Sequence, residues 1–152
     1  MPPPYAHRNP PPPPGIAQQA GVVFGPNASG KLYLSANTHR GAGNPYHKSV
    51  WLNAISRTEE FLLFCDSDVD NWRDDVGNYW AVKDGGRTIL GQDRERLAKF
   101  PRNNNARHPW HGFPVSPLDS VNDKPEDQLV EAWIATNVVP KEIGRKIQKY
   151  RI

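Results

Sequence analysis

The 152-residue chain has a single cysteine, and its longest unbroken apolar run is Phe61–Cys65. Without a second cysteine there is no internal disulfide, and Cys65, closing the most apolar run, reads as a buried small hydrophobe. A free thiol of this kind sets a cytoplasmic address as the expectation. A run of about 18–20 apolar residues is needed to cross a bilayer, and none is present. Prolines stand where a signal peptide would carry its apolar region, so neither a leader nor a membrane partner is expected. Acid is missing as well from one whole region. Residues 1–58 hold Arg8, Lys31, Arg40, Lys48 and Arg57 and no Asp or Glu.

The remaining charge is distributed just as unevenly. Residues 59–86 carry eight acids against Arg73 and Lys83, and residues 140–152 carry five bases against Glu142. The net charge of +3 and pI near 9.1 therefore describe basic ends around an acidic middle. Such asymmetry is compatible with an anionic partner without requiring one.

Eight of the sixteen prolines fall in the first fourteen residues. Residues 1–19 are accordingly expected to be a disordered, proline-rich head, partly polyproline II. Pro2-Pro3-Pro4-Tyr5 within it is similar to the short proline motifs that WW domains bind in aromatic grooves. Residues 20–152 are expected to form one α+β domain, strand-rich to about residue 100. Gly21–Phe24 and Lys31–Ser35 alternate as two strands around a Gly-Pro-Asn turn. Residues 38–46 are punctuated as a loop, 49–55 suits helix or strand, and Phe61–Cys65 is short enough to be a buried strand. Tyr79–Phe100, broken by Asp84-Gly85-Gly86, is read as a three-stranded meander. Residues 101–122 are expected to be irregular. Two helices, about 124–138 and 140–150, should close the chain. Asp123 and Glu126 are spaced as a capping box, Leu129, Val130, Trp133 and Ile134 form an apolar stripe, and Ile143, Ile147 and Tyr150 share a face.

Three motifs bear on chemistry. Gly25-Pro-Asn-Ala-Ser-Gly30-Lys31 resembles the Walker A loop of P-loop NTPases. Leu32, however, follows the lysine where a magnesium-binding hydroxyl belongs, and a strand follows where phosphate binding needs a helix N-terminus. A hairpin turn, with no nucleotide cofactor, is the expectation. Asp66-Ser-Asp68-Val-Asp70 resembles the opening of an EF-hand loop. It lacks the central glycine (Asn71) and the closing glutamate (Gly77), so an acidic loop is expected and no metal is assigned. The third motif is His108-Pro-Trp-His111, beside a glycine that would let a ligand approach the backbone. With His39 and His47 it offers imidazoles for metal-free acid–base work, and Arg40, Arg102 and Arg107 are candidates to hold a phosphate.

Two functional classes follow. The first is a small binding domain whose partner is a protein or nucleic acid, engaged through the proline-rich head, the basic helix bearing Arg145, Lys146 and Lys149, and Trp110, within a toxin–immunity type of system. The second is a small metal-independent nuclease or related hydrolase working through His108 and His111 with His39 or His47. In composition the chain is similar to small bacterial ribonuclease toxins. Convergence of the loops at 37–48 and 102–113 on one cleft would favour the second class.

Overall fold

A computed structural model describes residues 15–41, 48–105 and 107–152. The WW-type motif and His47 lie outside these residues. The described residues form an α+β fold of two three-stranded antiparallel sheets and three helices. The first sheet consists of β1 (Ile16–Gln18), β2 (Gly21–Phe24) and β3 (Tyr33–Ala36), in that order. The expected hairpin is present, with Val23 opposite Leu34 and Phe24 opposite Tyr33. Strand β1 is an addition: it pairs Ile16 with Val23, inside the stretch expected to be coil.

Helix α1 (Arg57–Val69) overturns the reading of Phe61–Cys65 as a strand. Ser56 caps it, accepting a hydrogen bond from the Glu59 amide while the Glu59 carboxylate accepts from the Ser56 amide, a capping box. Every residue from Glu60 to Cys65 is buried. The helix packs on β2 and β3 and on the second sheet as well, so its middle, Glu60–Cys65, is buried on every side and no polar face interrupts the run there; such a stretch has no amphipathic period.

The second sheet is ordered β4 (Tyr79–Ala81), β5 (Leu97–Phe100), β6 (Phe113–Val115). The predicted meander is corrected here. Arg87–Leu90 is not a strand; after β4 the chain makes a loop whose Leu90 and Gly91 amides donate to the Glu95 carbonyl. The third strand comes from the region expected to be irregular. It contains Pro114, which an edge strand tolerates because one row of its amides needs no partner.

This sheet is buried on both faces. Tyr79, Ala81, Ala98 and Phe100 join a core with Phe24, Tyr33, Phe61 and Phe64, while Trp80, Val82, Leu97 and Val115 join a second core with Trp133, Ile143 and Ile147. The second core is closed by α2 (Asp127–Ala135) and α3 (Lys141–Gln148), both shorter than expected. The Asp123–Glu126 capping box does not form; Asp123 lies in a 3-10 turn and the Glu126 carboxylate accepts the Asp75 amide at 2.7 Å. Gly144 is buried where a Cβ would meet Ile134 at 2.5 Å, so the glycine lets α3 approach α2. No helix among the described residues is long and apolar enough to cross a membrane.

Candidate functional site

Strand β3 positions the site. Tyr33 and Ser35 point inward, to the buried carboxylate of Glu60, and Leu32, Leu34 and Ala36 alternate to the other face. The segment 108–111 runs beside this strand: the Trp110 amide donates to Leu32 O at 2.8 Å and the Leu34 amide to Trp110 O at 2.6 Å. Trp110 packs its ring on Phe64 and Tyr79. It therefore anchors the segment to the core.

The residues on either side of Trp110 part company. His111 reaches His39, with ring centroids 6.4 Å apart and planes within 10° of parallel. His108 lies in a different cleft, with Lys31 and Asn103. The expected partnership of His108 with His111 is thus replaced by one between His39 and His111, because His108 sits in a turn whose Asn105 carbonyl accepts its amide, while His111 follows Trp110 along β3. Gly112 serves packing, not ligand approach: a Cβ there would lie 2.2 Å from the Phe100 ring.

His39 is held from several directions. Its backbone carbonyl accepts the Trp51 amide at 3.0 Å, its ring rests on Phe113 at 4.8 Å, and its Nδ1 lies 2.9 Å from Ser49 O. A carbonyl only accepts, so Nδ1 carries the proton in the neutral ring and Nε2 is left with a lone pair. Ser49 is itself fixed in a left-handed conformation, φ 58°. Its amide donates at 2.7 Å to Glu95, a carboxylate 1% exposed that also accepts the Asp93 amide. Glu95 and Ser49 were not legible as site residues, since 46 positions separate them and neither sits in a motif. Burial lowers the pKa of His39, with the Ser49 carbonyl opposing and the nearby His111 adding to the shift; loss of water around the ring lowers His111 likewise. The two imidazoles border a shallow cleft of about 410 Å³ that Leu34, Ala36, Thr38 and Gln19 also line.

The arginines expected to hold phosphate are elsewhere. Arg40 donates from Nε and Nη2 to Glu60 and from Nη1 to Ile55 O, which commits its guanidinium to the interior. Arg102 extends over Gly77, and Arg107 is exposed on the loop before His108. Arg145 on α3 pairs with Glu131, whereas Lys146 on α3 and Lys149 at its C-terminal cap are exposed.

The two decoy motifs are accounted for by their partners. Asn27 Oδ1 accepts from the Ser29 and Lys31 amides, and the Lys31 ammonium pairs with Asp68 at 3.0 Å. Those donors are therefore turned onto the turn itself and onto α1, not outward as a phosphate cradle. The EF-hand-like segment is not a loop: Asp66–Val69 form the last turn of α1 and Asp70 is its C-cap. Beyond it, Asp74 Oδ1 accepts the amides of Val76, Gly77 and Asn78 and its Oδ2 accepts Trp80 Nε1. That carboxylate caps a turn. No family model, curated protein or solved structure matches this chain.

Proposed function

We propose that the chain is a small metal-independent ribonuclease in which His39 and His111 share the proton transfers. The observation that carries this reading is the convergence of the two rings, from loops 72 positions apart, on one cleft with the His39 tautomer fixed. Two imidazoles facing one site do not both hold a charge readily, so the pair passes through a singly protonated state, suited to one base and one acid. His39 Nε2 takes the proton of a ribose 2′-hydroxyl as that oxygen bonds to phosphorus. The bond from phosphorus to the 5′-oxygen breaks, and protonated His111 gives its proton to the leaving oxygen. The products are a 2′,3′-cyclic phosphate and a 5′-hydroxyl. A reducing, cytoplasmic setting suits the one thiol, which is buried.

Incubating the chain with single-stranded RNA in a chelator tests the reading. Cleavage to cyclic-phosphate ends is expected, with His39→Ala and His111→Ala each lowering turnover by about 10²–10⁴. Wild-type protein that leaves RNA intact sinks it. A second reading, a binding domain without chemistry in a toxin–immunity type of system, is favoured by one observation: among the described residues no Lys or Arg lines the cleft. RNA or protein capture without turnover, weakened by removing Lys146 and Lys149, is its signature.

A further inference from the structure

The ridge of β3 that floors the histidine cleft continues into a second one. Leu32 lies about 6–7 Å along the strand from Leu34, on the same face, and it lines a cleft of about 330 Å³ with Ser29, Lys31, Asn103, His108 and Trp110. The two concavities are consecutive along one strand and share the segment 108–111 as their wall. Both fall in the size range of small-molecule sites.

The chemistry of the second cleft is not that of a phosphate site. Its one cation among the described residues, Lys31, is neutralised by Asp68, which also accepts from Ser29 Oγ at 2.5 Å and Tyr79 OH at 3.0 Å. What the cleft offers is apolar and planar surface with neutral hydrogen-bonding groups. Leu32 is 38% exposed, the half-buried Trp110 is fixed by the core behind it, and His108 is an exposed flat ring. Asn103 donates its side-chain amide to His108 O at 2.5 Å, which places it at the rim with further donor and acceptor capacity. Gly30 has nothing within 4 Å of the position a Cβ would take, so the mouth is open there. An uncharged planar heterocycle with a polar edge fits such a lining, in the way single-stranded RNA bases stack on rings and are read at their edges.

We propose that this cleft is a nucleobase subsite, receiving the base of the nucleotide next to the linkage held at His39 and His111. The proposal rests on the ribonuclease reading for its substrate, and its test is separable from that reading. Full-length His111→Ala protein, chosen to suppress turnover, is titrated with each of the four ribonucleoside 5′-monophosphates and with ribose 5-phosphate, followed by amide and imidazole NMR signals. At least one nucleotide is expected to move the signals of Ser29–Leu32, Asn103 and His108 saturably, with a Kd of about a millimolar, and ribose 5-phosphate to leave them in place. Leu32→Asp and Asn103→Ala should each weaken that binding about tenfold, as for loss of one base contact. The subsite is refuted if none of the nucleotides moves these signals, if ribose 5-phosphate moves them equally, or if both variants bind like the parent. Shifts here combined with an RNA-inactive wild type keep the subsite and remove the ribonuclease. Cleavage without shifts does the reverse.

Discussion

His39 and His111 are both held below the ordinary imidazole pKa of 6.5, chiefly because protein atoms displace water from the rings. The consequence for stability has a definite sign. As pH falls below 6.5 the unfolded chain takes up protons at these positions before the folded one does. Their contribution is thus fully present above 6.5 and is lost as pH falls through the depressed folded values. Asp68 and Asp74, which also shift downward, titrate in a lower range. Glu60 and Glu95 shift upward and act with the opposite sign, but equally in wild type and variant. Urea unfolding at about pH 7.5 and about pH 5.5 is therefore expected to show a steeper loss of stability for wild type than for His111→Gln. Equal slopes would mean that His111 titrates as a free imidazole. This exposed residue was legible in the sequence as a candidate. His39 was legible as a candidate beside it, but which of His39 and His108 it would face was not, because that depends on where the turn at His108 ends and the pairing with β3 begins.

Among the elements, α2 and α3 are where sequence and structure agree most closely. Leu129, Val130, Trp133, Ile143 and Ile147 are buried as their helical spacing requires. Tyr150 leaves that face at φ 60° and lies under the Lys124 ammonium. Agreement fails at α1 and β6 for opposite reasons: the middle of α1, Glu60–Cys65, is buried on every side and so shows no period, and β6 carries a proline that reads as a loop. Trp133 tests the packing of α2. It is 1% exposed, set edge-on to Trp72, and its Nε1 has no hydrogen-bond partner among the described residues. Trp133→Ala should destabilise by about 3–5 kcal/mol through the cavity it leaves. Trp133→Phe should lose markedly less, about 1–2 kcal/mol, since it retains a ring and removes a buried donor that already lacks a partner. Chemical denaturation of the two variants measures the difference, and equal losses would show that the indole N–H does contribute.

At the scale of the whole molecule, the site exists because layers distant in sequence are tied together. The loop bearing His39 belongs to the first sheet, His111 precedes an edge strand of the second, and α1 lies against both sheets. No local signal announces such a meeting. The tie at its centre is Glu60, fully buried on α1, which accepts from Tyr33 at 2.6 Å and Ser35 at 2.7 Å on β3 and from the guanidinium of Arg40, the residue after His39. Arg40 in turn lies over Trp51 at 5.7 Å. Removing the carboxylate leaves an uncompensated buried cation and two hydroxyls without their acceptor, the situation in which breaking a buried pair is most damaging. Glu60→Ala is therefore expected to lose about 3–5 kcal/mol of unfolding free energy and to shift the His39 imidazole signals although it does not touch that ring. Denaturant unfolding and imidazole NMR on the same sample check both. A loss below about 1 kcal/mol, with the His39 signals unmoved, would show that Trp110 and Ser49 hold the cleft together without the buried pair.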